Sequence, residues 1–437
     1  MATHSLRVFD GSDLVGTVQY DALEDSFSFA YDEAWRSAAH RYPLSPAIPF
    51  DRPASSASLR RFIENLLPEG RALDIASVYG QVSKNNVYGL IRQLGGETAG
   101  ALSFHADAPP PAQAPQLREI SAAELNQRIR DREQVPFTVW DGRVRLSIAG
   151  YQDKLAVFME GERIYLADGA GVASTHIVKP EPIHDSASCM VANEHFCMTL
   201  AGRLGLPVAP VSIRRIPSPV LLVTRFDRVK ENGIVRRLHI VDACQALDLP
   251  VSYKYERNFG AARDVAAIRD GVSFARLFSL REKTVNQAVA QRIMLQWAIF
   301  QFLIGNSDAH GKNFSFFCTR AGLTPAPFYD LVSVVQYDQF LHDFAMAIGD
   351  AFDMAEATPY AFADFMSRIG IRRPTAVRTM TSLARAAAAQ AAGQAEDLVY
   401  VGEERDMVRS IAALVRRQAD RLIDMAPKIL AVDSTLL

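Results

Sequence analysis

Cysteine is scarce in this chain, which has four cysteines and no C-x-x-C pair among them. That spacing excludes a zinc ribbon or a dense disulfide scaffold and is typical of a reducing compartment, so we expect a cytoplasmic protein. An excess of charge of one sign is also lacking, because the formal net charge is −2. A globally basic nucleic-acid binder is therefore not expected.

Long apolar runs and a secretory leader are missing as well. No run reaches the ~18 apolar residues that a membrane span needs, so we expect no membrane association. The nearest candidate, IMLQWAIFQFLIG, is interrupted by Gln296 and Gln301 and predicts a buried helix. The first residues, MATHSLRVFDGSDLVG, contain no apolar core of a signal peptide.

The 437 residues, 49% of them hydrophobic, suffice for two or three domains. We predict an N-terminal α/β subdomain over 1–107, where LRVFDGSDLVGTVQY indicates a hairpin and SSASLRRFIENLLPEG a helix. A proline-rich linker over 108–116 and a mixed α/β region over 117–255 follow. The last region, 256–437, is mainly helical, with its most apolar helix at 285–304. This layout predicts an α+β fold of the bilobal, protein-kinase-like kind, although a fold alone does not fix a function.

Polar residues follow the apolar helix in the segment GNSDAHGKNF. Asp308 and Asn313 have the D-x-x-x-x-N spacing of a kinase catalytic loop, in which a carboxylate serves the acceptor hydroxyl and an amide holds Mg²⁺. Asp330, in PFYDLVS, comes after a strand predicted from FSFFCTR and supplies a second oxygen ligand suited to Mg²⁺. The alternative is a polar loop that caps the helix, because Asp and Asn favour caps and turns for backbone reasons.

Two upstream features could hold phosphate. In SIAGYQDKLAV, the small-residue turn 149–150 lies between apolar runs and would let backbone N–H groups approach phosphate oxygens. It matches neither G-x-x-x-x-G-K-[ST] nor G-x-G-x-x-G, so an ordinary hairpin turn is the alternative. Lys179 ends the run THIVKP, and Glu194 on the next predicted helix could hold its ammonium, as in the kinase Lys–Glu pair. Two separately solvated side chains are the alternative for that pair.

The segment VTRFDR follows an apolar strand and predicts a hinge whose backbone contacts adenine. The alternative is a simple strand end with Arg225 and Asp227 as surface charges. The glycine turn, strand lysine, helix glutamate, hinge, D-x-x-x-x-N loop and later aspartate occur in the order of a kinase. That order favours the functional interpretation more than any single feature does.

At these residues the chain resembles the HipA family, bacterial serine/threonine kinases that act as toxins in type II toxin–antitoxin pairs. SIAGYQDK is similar to the family's S-[IV]-A-G-x-Q-[DE]-K phosphate loop, and STHIVKP to its T-H-I-x-K strand. GNSDAHGKNFS is similar to its G-x-x-D-x-H-x-K-N-F-S catalytic segment, and FYDLVS to its metal-site segment. NLLPEG and LGGETAGALSF resemble its N-terminal subdomain. Taken together, these motifs extend the resemblance over most of the chain, about residues 5–425.

The resemblance implies a HipA-like kinase fold, with ATP and Mg²⁺ as cofactors. Asp308 would be the catalytic base, and Asn313 and Asp330 the Mg²⁺ ligands. Glu194 would support Lys179. The implied nucleotide-binding residues are Ala149, Gly150, Tyr151, Gln152, Asp153, Lys154, Lys179, Thr224, Arg225, Phe226, His310, Gly311, Lys312, Asn313, Tyr329 and Asp330.

Ser147 matches the family's autophosphorylated serine, and a phosphate there would add negative charge beside the ATP phosphates and inhibit the enzyme. The alternative for Ser147 is an ordinary hydroxyl on a strand face. The chain departs from the family pattern at Thr224, where the family often has Glu, and at the bulky Tyr151. Neither departure removes a group that the chemistry needs.

The resemblance also implies partners. These are a helix-turn-helix antitoxin similar to HipB, DNA contacted mainly through that antitoxin, and a translation component as substrate. An aminoacyl-tRNA synthetase, with glutamyl-tRNA synthetase as the leading candidate, fits the last. Two alternatives stay open: an antitoxin-binding corepressor with weak catalysis, and a small-molecule or lipid kinase, because phosphoinositide kinases also carry D-x-H-x-x-N loops. The stretch 372–421 has nine arginines against six acids, which indicates solvated helix faces rather than direct DNA binding.

Overall fold

The structure is a computed structural model that describes residues 3–106, 115–145, 152–169, 171–183, 187–231 and 233–437. The chain forms two compact units whose segments alternate along the sequence. The first unit comprises Met1–Pro180, Arg214–Val241 and Phe316–Leu323. The second comprises Glu181–Ile213, Asp242–Ser315 and Thr324–Leu437.

The first unit begins with a small α/β region. Its elements are β1 (Thr3–Asp10), β2 (Asp13–Asp21), β3 (Ser26–Tyr31), α1 (Glu33–Ser37), α2 (Ser56–Glu64), α3 (Gly70–Gly80), α4 (Val87–Leu94) and β4 (Leu102–His105). The strands form one sheet in the order β3-β2-β1-β4. The predicted hairpin is confirmed, because β1 and β2 pair antiparallel around Gly11, whose φ of 59° suits glycine. The predicted serine-capped helix is confirmed as α2, since the Ser55 side chain accepts from the Ser58 N–H.

A six-stranded sheet dominates the rest of the first unit. The next elements along the chain are β5 (Gln116–Ile120), α5 (Ala122–Arg130), β6 (Val139–Trp140), β7 (Arg143–Val144), β8 (Leu155–Glu160), β9 (Arg163–Asp168), β10 (His176–Pro180), α6 (Met190–Arg203), β11 (Val211–Ile216), β12 (Ser218–Thr224), β13 (Arg228–Glu231) and β14 (Ile234–Arg237). Of these elements, α6 lies in the second unit. The sheet order is β11-β12-β10-β8-β9-β5, which places β10 in the interior of the sheet. Val157, Val178 and Leu222, from three adjacent strands, are buried in one apolar core on its face. Because side chains alternate along a strand, Lys179 projects from the other face of β10.

The second unit is mainly helical. The remaining elements along the chain are β15 (Ile240–Asp242), α7 (Ala243–Leu247), α8 (Phe274–Ser279), α9 (Gln287–Ile304), β16 (Ser315–Thr319), β17 (Gly322–Pro325), α10 (Pro359–Arg368), α11 (Arg373–Ala395) and α12 (Glu403–Ala431). The strand predicted from FSFFCTR is confirmed as β16, which lies between β15 and β17 in a three-stranded sheet. Most of this small sheet belongs to the first unit, which includes Arg214–Val241 and Phe316–Leu323. In the described part of the chain, no helix is both long and apolar enough to cross a membrane.

Helix α9 carries the chain directly to the predicted catalytic segment. It starts one residue after Asn286, whose side chain accepts from the Val289 N–H, and most of its second half is buried. The helix ends at Ile304 and is capped by Gly305, which has a φ of 66°. A Cβ at this position would lie 2.5 Å from Val335 Cγ2 and 3.0 Å from Leu414 Cδ2. Only glycine therefore fits the turn that releases Asn306–Asp308 from the helix.

Candidate active site

The residues after α9 are held by a short chain of amide hydrogen bonds. Asn306 is buried, and its Nδ2 donates to Gln301 Oε1 at 2.8 Å. Its Oδ1 accepts from the Asp308 N–H at 3.1 Å. The last helical turn thus fixes the backbone of Asp308, while the Asp308 side chain is exposed.

Asp308 and Asn313, paired by their spacing in the sequence, are brought together. The buried Asn313 donates from Nδ2 to the Asp308 carbonyl oxygen at 2.9 Å, and the His310 N–H donates to the same oxygen at 2.9 Å. Because the two ends of an amide diverge, this bond turns Asn313 Oδ1 away from that carbonyl. Oδ1 is the atom that could ligate a cation.

Tyr255 lies between two polar groups of this loop. Its hydroxyl donates to Asp308 Oδ1 at 2.6 Å, and its ring meets the His310 ring edge to face at a centroid distance of 5.1 Å. His310 is buried. Burial first, and then the charge of Lys254, lower the pKa of His310 to about 3, while Asp330 acts in the opposite direction. The imidazole is therefore neutral at physiological pH.

Lys312 makes an ion pair that sequence reasoning did not predict. Its Nζ lies 2.8 Å from Asp242 Oδ2, and both side chains are largely buried. The Tyr329 hydroxyl donates to the Lys312 carbonyl at 2.6 Å and lies 2.7 Å from Ser315 Oγ. Tyr329 thereby connects the predicted catalytic segment to the segment that carries Asp330.

Asp330 has a φ of 57°, a left-handed backbone conformation that few non-glycine residues adopt. The segment after it is anchored to α6 by Asn193, which is fully buried. Asn193 Oδ1 accepts from the Ser333 N–H at 2.8 Å, and its Nδ2 donates to the Ser333 carbonyl at 3.1 Å. Strained backbone held by its surroundings is a frequent property of functional sites.

The two predicted metal ligands, Asn313 and Asp330, do not form a metal site made of protein side chains alone. Among the described residues, no group of three or more His, Cys, Asp or Glu side chains could hold a metal ion. Mg²⁺ at nucleotides usually takes one or two carboxylates and completes its shell with phosphates and water. The Asp330 carboxylate and the Asn313 amide fit that kind of site.

The predicted phosphate loop is only partly described. Ser147, Ala149, Gly150 and Tyr151 lie outside the described residues. The Gln152 side chain donates to the Pro180 carbonyl at 2.8 Å, which joins the end of the loop to β10. Burial raises the pKa of Asp153, opposed by Arg132 at 3.9 Å and by Arg71.

The predicted Lys–Glu pair is distributed over the two units. Lys179 is buried on β10, opposite Leu221 of β12, and Lys154, the residue immediately before β8, is also buried. Both lysines belong to the first unit, whereas Glu194, buried on α6, belongs to the second. The pairing of Lys179 with Glu194 stays a prediction.

The predicted hinge contains a buried ion network rather than surface charges. Arg225 donates from Nε and Nη2 to the two oxygens of Asp227, at 3.0 and 2.8 Å. Arg228 Nη1 and the Gly100 N–H both reach Asp227 Oδ2, at 2.8 and 2.9 Å. Burial raises the pKa of the Asp227 carboxyl, but Arg225 and Arg228 outweigh it and hold that pKa well below its usual range. The alternative is right that a strand ends here, because β12 stops at Thr224, but its surface charges are wrong because Arg225 and Asp227 are both only 4% exposed.

Three structurally important residues were missed by sequence reasoning. Tyr255, Asn193 and Asp242 act on partners that are 53, 140 and 70 positions away, respectively. Asp242 alone had a local signal, the capping box that it forms with Gln245 at the start of α7. That signal predicts a helix start and not an ion pair.

A sheet-rich unit with a buried lysine on an interior strand, together with a helical unit carrying a D-x-x-x-x-N loop and a later aspartate, defines a protein-kinase-like molecule. Comparison with known proteins narrows this class. The model of the HipA-like C-terminal domain matches residues 146–391, and the model of the HipA N-terminal domain matches residues 6–105. The chain belongs to the HipA family and is a serine/threonine-protein kinase.

Individual relatives agree with this assignment. The serine/threonine-protein kinase toxin HipA of Shewanella oneidensis is 46% identical over 389 residues, which are 88% of this chain and 87% of that protein. Y4mE of Sinorhizobium fredii is 35% identical over 434 residues, 95% of this chain and 99% of that protein. The solved complex of Shewanella oneidensis HipA with HipB and its operator DNA contains a chain with a TM-score of 0.89 and 41% identity. That match covers 98% of this chain and 100% of the other.

Proposed function

We propose that this kinase is catalytically active and transfers the γ-phosphate of ATP to a serine or threonine hydroxyl of a protein, with Asp308 as the base. The observation that carries the proposal is the Asp308–Asn313 loop, held by hydrogen bonds on the segment that Tyr329 connects to Asp330. The sequence contains a residue of the right chemical type for each proposed role in transfer and metal binding. Positioning and electrostatic stabilisation do most of the work in such a reaction.

In this reaction, Asp308 orients the acceptor hydroxyl and takes its proton as the oxygen bonds to the γ-phosphorus. The bond to the β–γ bridging oxygen breaks, and ADP leaves. Lys179 would hold the phosphates, with Glu194 fixing its ammonium. Asn313 and Asp330 would hold Mg²⁺, which when bound offsets the charge of the phosphates.

The nucleotide base would be held at residues 224–226. The Arg225 side chain is committed to Asp227, and its N–H donates to the Thr175 carbonyl at 2.9 Å. The backbone carbonyl of Arg225 is then the group of this residue that could accept from the adenine amino group. The bulk of Phe226, which meets Phe317 edge to face at 6.0 Å, would supply an apolar contact.

We further propose that the enzyme is the toxin of a type II toxin–antitoxin pair. The structural relative was solved with HipB and operator DNA. A helix-turn-helix antitoxin is accordingly the expected partner of this chain, with DNA contacted mainly through it. The proposed substrate is a translation component, with glutamyl-tRNA synthetase as the leading candidate, and Ser147 is the proposed site of autophosphorylation.

The experiment is quantitative phosphoproteomics of a bacterial lysate incubated with ATP, Mg²⁺ and the purified chain, using Asp308→Gln as the matched control. New phosphoserine or phosphothreonine peptides that depend on Asp308 would support a protein kinase. Transfer of phosphate from ATP only to lipids or small metabolites would favour the lipid or small-molecule kinase alternative. No label in any fraction, with tight antitoxin binding, would favour the corepressor. Purified glutamyl-tRNA synthetase tests the proposed substrate directly.

A further inference from the structure

Tyr255 forms a hydrogen bond with Asp308, and the proposed reaction assigns no role to this tyrosine. Its hydroxyl donates to Asp308 Oδ1 at 2.6 Å, a short bond of the kind made to a charged acceptor. Asp308 is exposed and lies on a loop, where an aspartate side chain has more than one staggered orientation available to it. A donor at Oδ1 selects one of them.

The ring of Tyr255 is itself held in place. It meets the buried, neutral imidazole of His310 at 90° and 5.1 Å, and Lys254 Nζ lies 5.3 Å from its centroid. The tyrosine side chain is 36% exposed, so its position does not follow from burial alone. The contact with His310 restricts the ring while one edge still faces solvent.

The backbone on both sides of Tyr255 is hydrogen-bonded to the catalytic loop or to a segment that contacts it. The Gly311 N–H donates to the Lys254 carbonyl at 2.9 Å. The Glu256 N–H donates to the Ala345 carbonyl at 2.9 Å, and the Ala345 N–H donates to the Ser307 carbonyl at 2.9 Å. The backbone next to Tyr255 is therefore hydrogen-bonded, directly or through Ala345, to the residues on both sides of Asp308. The contact between Tyr255 and Asp308 follows from this local fold.

We propose that Tyr255 is a positioning residue that holds the Asp308 carboxylate in the orientation that receives the proton of the acceptor hydroxyl. This inference rests on the proposed function of Asp308. A preorganised base has little reorganisation to complete during transfer, and a hydrogen bond to a charged group contributes roughly as much as a 10- to 100-fold change in rate. Because Tyr255 acts on the base and not on the nucleotide, its hydroxyl should affect the transfer rate and not ATP binding.

The test compares Tyr255→Phe with wild type in the full-length chain. Transfer from [γ-³²P]ATP into the proteins of a heat-treated bacterial lysate is followed over a range of ATP concentrations. Rates are normalised to protein that binds a fluorescent ATP analogue, so that partial misfolding does not count as loss of catalysis. Tyr20→Phe is the matched control, because Tyr20 donates to Asp25 Oδ1 at 2.9 Å outside the site.

We expect Tyr255→Phe to reduce the saturated rate by about 10- to 100-fold, with the half-saturating ATP concentration within threefold of wild type. Tyr20→Phe should match wild type. An unchanged or faster rate for Tyr255→Phe would overturn the inference, and a faster rate would identify the contact as inhibitory. A slower rate that follows from weaker ATP binding would overturn it too.

Tyr255→Leu provides a second comparison, since it removes the ring as well as the hydroxyl. If Tyr255→Leu is impaired while Tyr255→Phe equals wild type, ring packing on His310 is what matters and the inference fails. The proposed function fails separately, because a wild-type chain without any transfer contradicts Asp308 catalysis itself and this inference with it. Active wild type with an equally active Tyr255→Phe contradicts only the inference.

Discussion

Replacing Asp227 by asparagine should destabilise the first unit strongly. The carboxylate accepts two hydrogen bonds from Arg225, one from Arg228 and one from the Gly100 N–H. Both arginines are nearly fully buried, and Glu97 Oε1 lies 3.6 and 3.7 Å from them. Asparagine keeps the shape of the side chain but removes one of the two negative charges that face these cations.

The magnitude follows from the loss of a partner and not from the net value of an ion pair. Removing one member of a buried pair typically costs about 3–5 kcal/mol, since the remaining charges stay desolvated without compensation. An amide at this position would also direct an NH₂ group at arginine or backbone donors. We therefore expect the free energy of unfolding to fall by about 3–5 kcal/mol.

Urea denaturation followed by tryptophan fluorescence measures this change. Glu124→Gln is the control in the same unit, because Glu124 pairs with Arg118 at 2.5 Å with both side chains at least one-third exposed. An exposed pair of this kind contributes at most about 1 kcal/mol. If Asp227→Asn costs no more than Glu124→Gln, the network is not the source of stability that its burial and geometry indicate.

Two further predictions concern buried polar groups. His239 is buried, its Nε2 lies 2.8 Å from the Leu44 carbonyl, and burial lowers its pKa to about 4. Below pH 6.5 the unfolded chain therefore binds more protons than the folded chain, so the free energy of unfolding falls as the pH decreases. At pH 5 this group lowers the free energy of unfolding by about 2 kcal/mol relative to its value well above pH 6.5. In His239→Gln the urea midpoint should accordingly depend less on pH than in wild type, and an equal pH dependence in both proteins would contradict the assignment. Asn193→Ala leaves the Ser333 N–H buried without its partner, whereas the Ser333 carbonyl still accepts from the Gln336 N–H at 3.3 Å. The loss should cost about 1–3 kcal/mol and weaken Mn²⁺ binding in the presence of ATP, as measured by EPR. Equal Mn²⁺ affinity in both proteins would show that Asn193 does not position the Asp330 segment.

Local structure was predictable because its signals are local. The Asp-Gly turn defined the β1–β2 hairpin, and serine capping defined the start of α2. The apolar helix predicted at 285–304 differs from α9 by two residues, since Asn286 caps the helix instead of joining it. The D-x-x-x-x-N spacing identified Asp308 and Asn313 as neighbours because a loop of that length allows the side chain of one to reach the backbone of the other.

Long-range pairing was not predictable from one sequence. Lys312 was expected to line the nucleotide, but in the structure its ammonium is paired with Asp242. No residue close to Lys312 in the sequence indicates that pair, because Asp242 is 70 positions away. Likewise, charged residues such as Arg225 and Asp227 after a strand are typical of a solvent-exposed turn. They are buried here because the segment 97–102 packs against this turn. Charges that compensate each other inside the protein follow no apolar periodicity, so pattern-based reasoning assigns them to the surface.

The most direct test of the central claim is a paired measurement on Asp308→Gln. ATP affinity in the presence of Mg²⁺ is determined by calorimetry, and phosphate transfer to lysate protein is determined on the same preparation. If Asp308 is the base, ATP affinity should stay within threefold of wild type while transfer falls by about 10²- to 10⁴-fold. Transfer comparable to that of wild type would contradict the account.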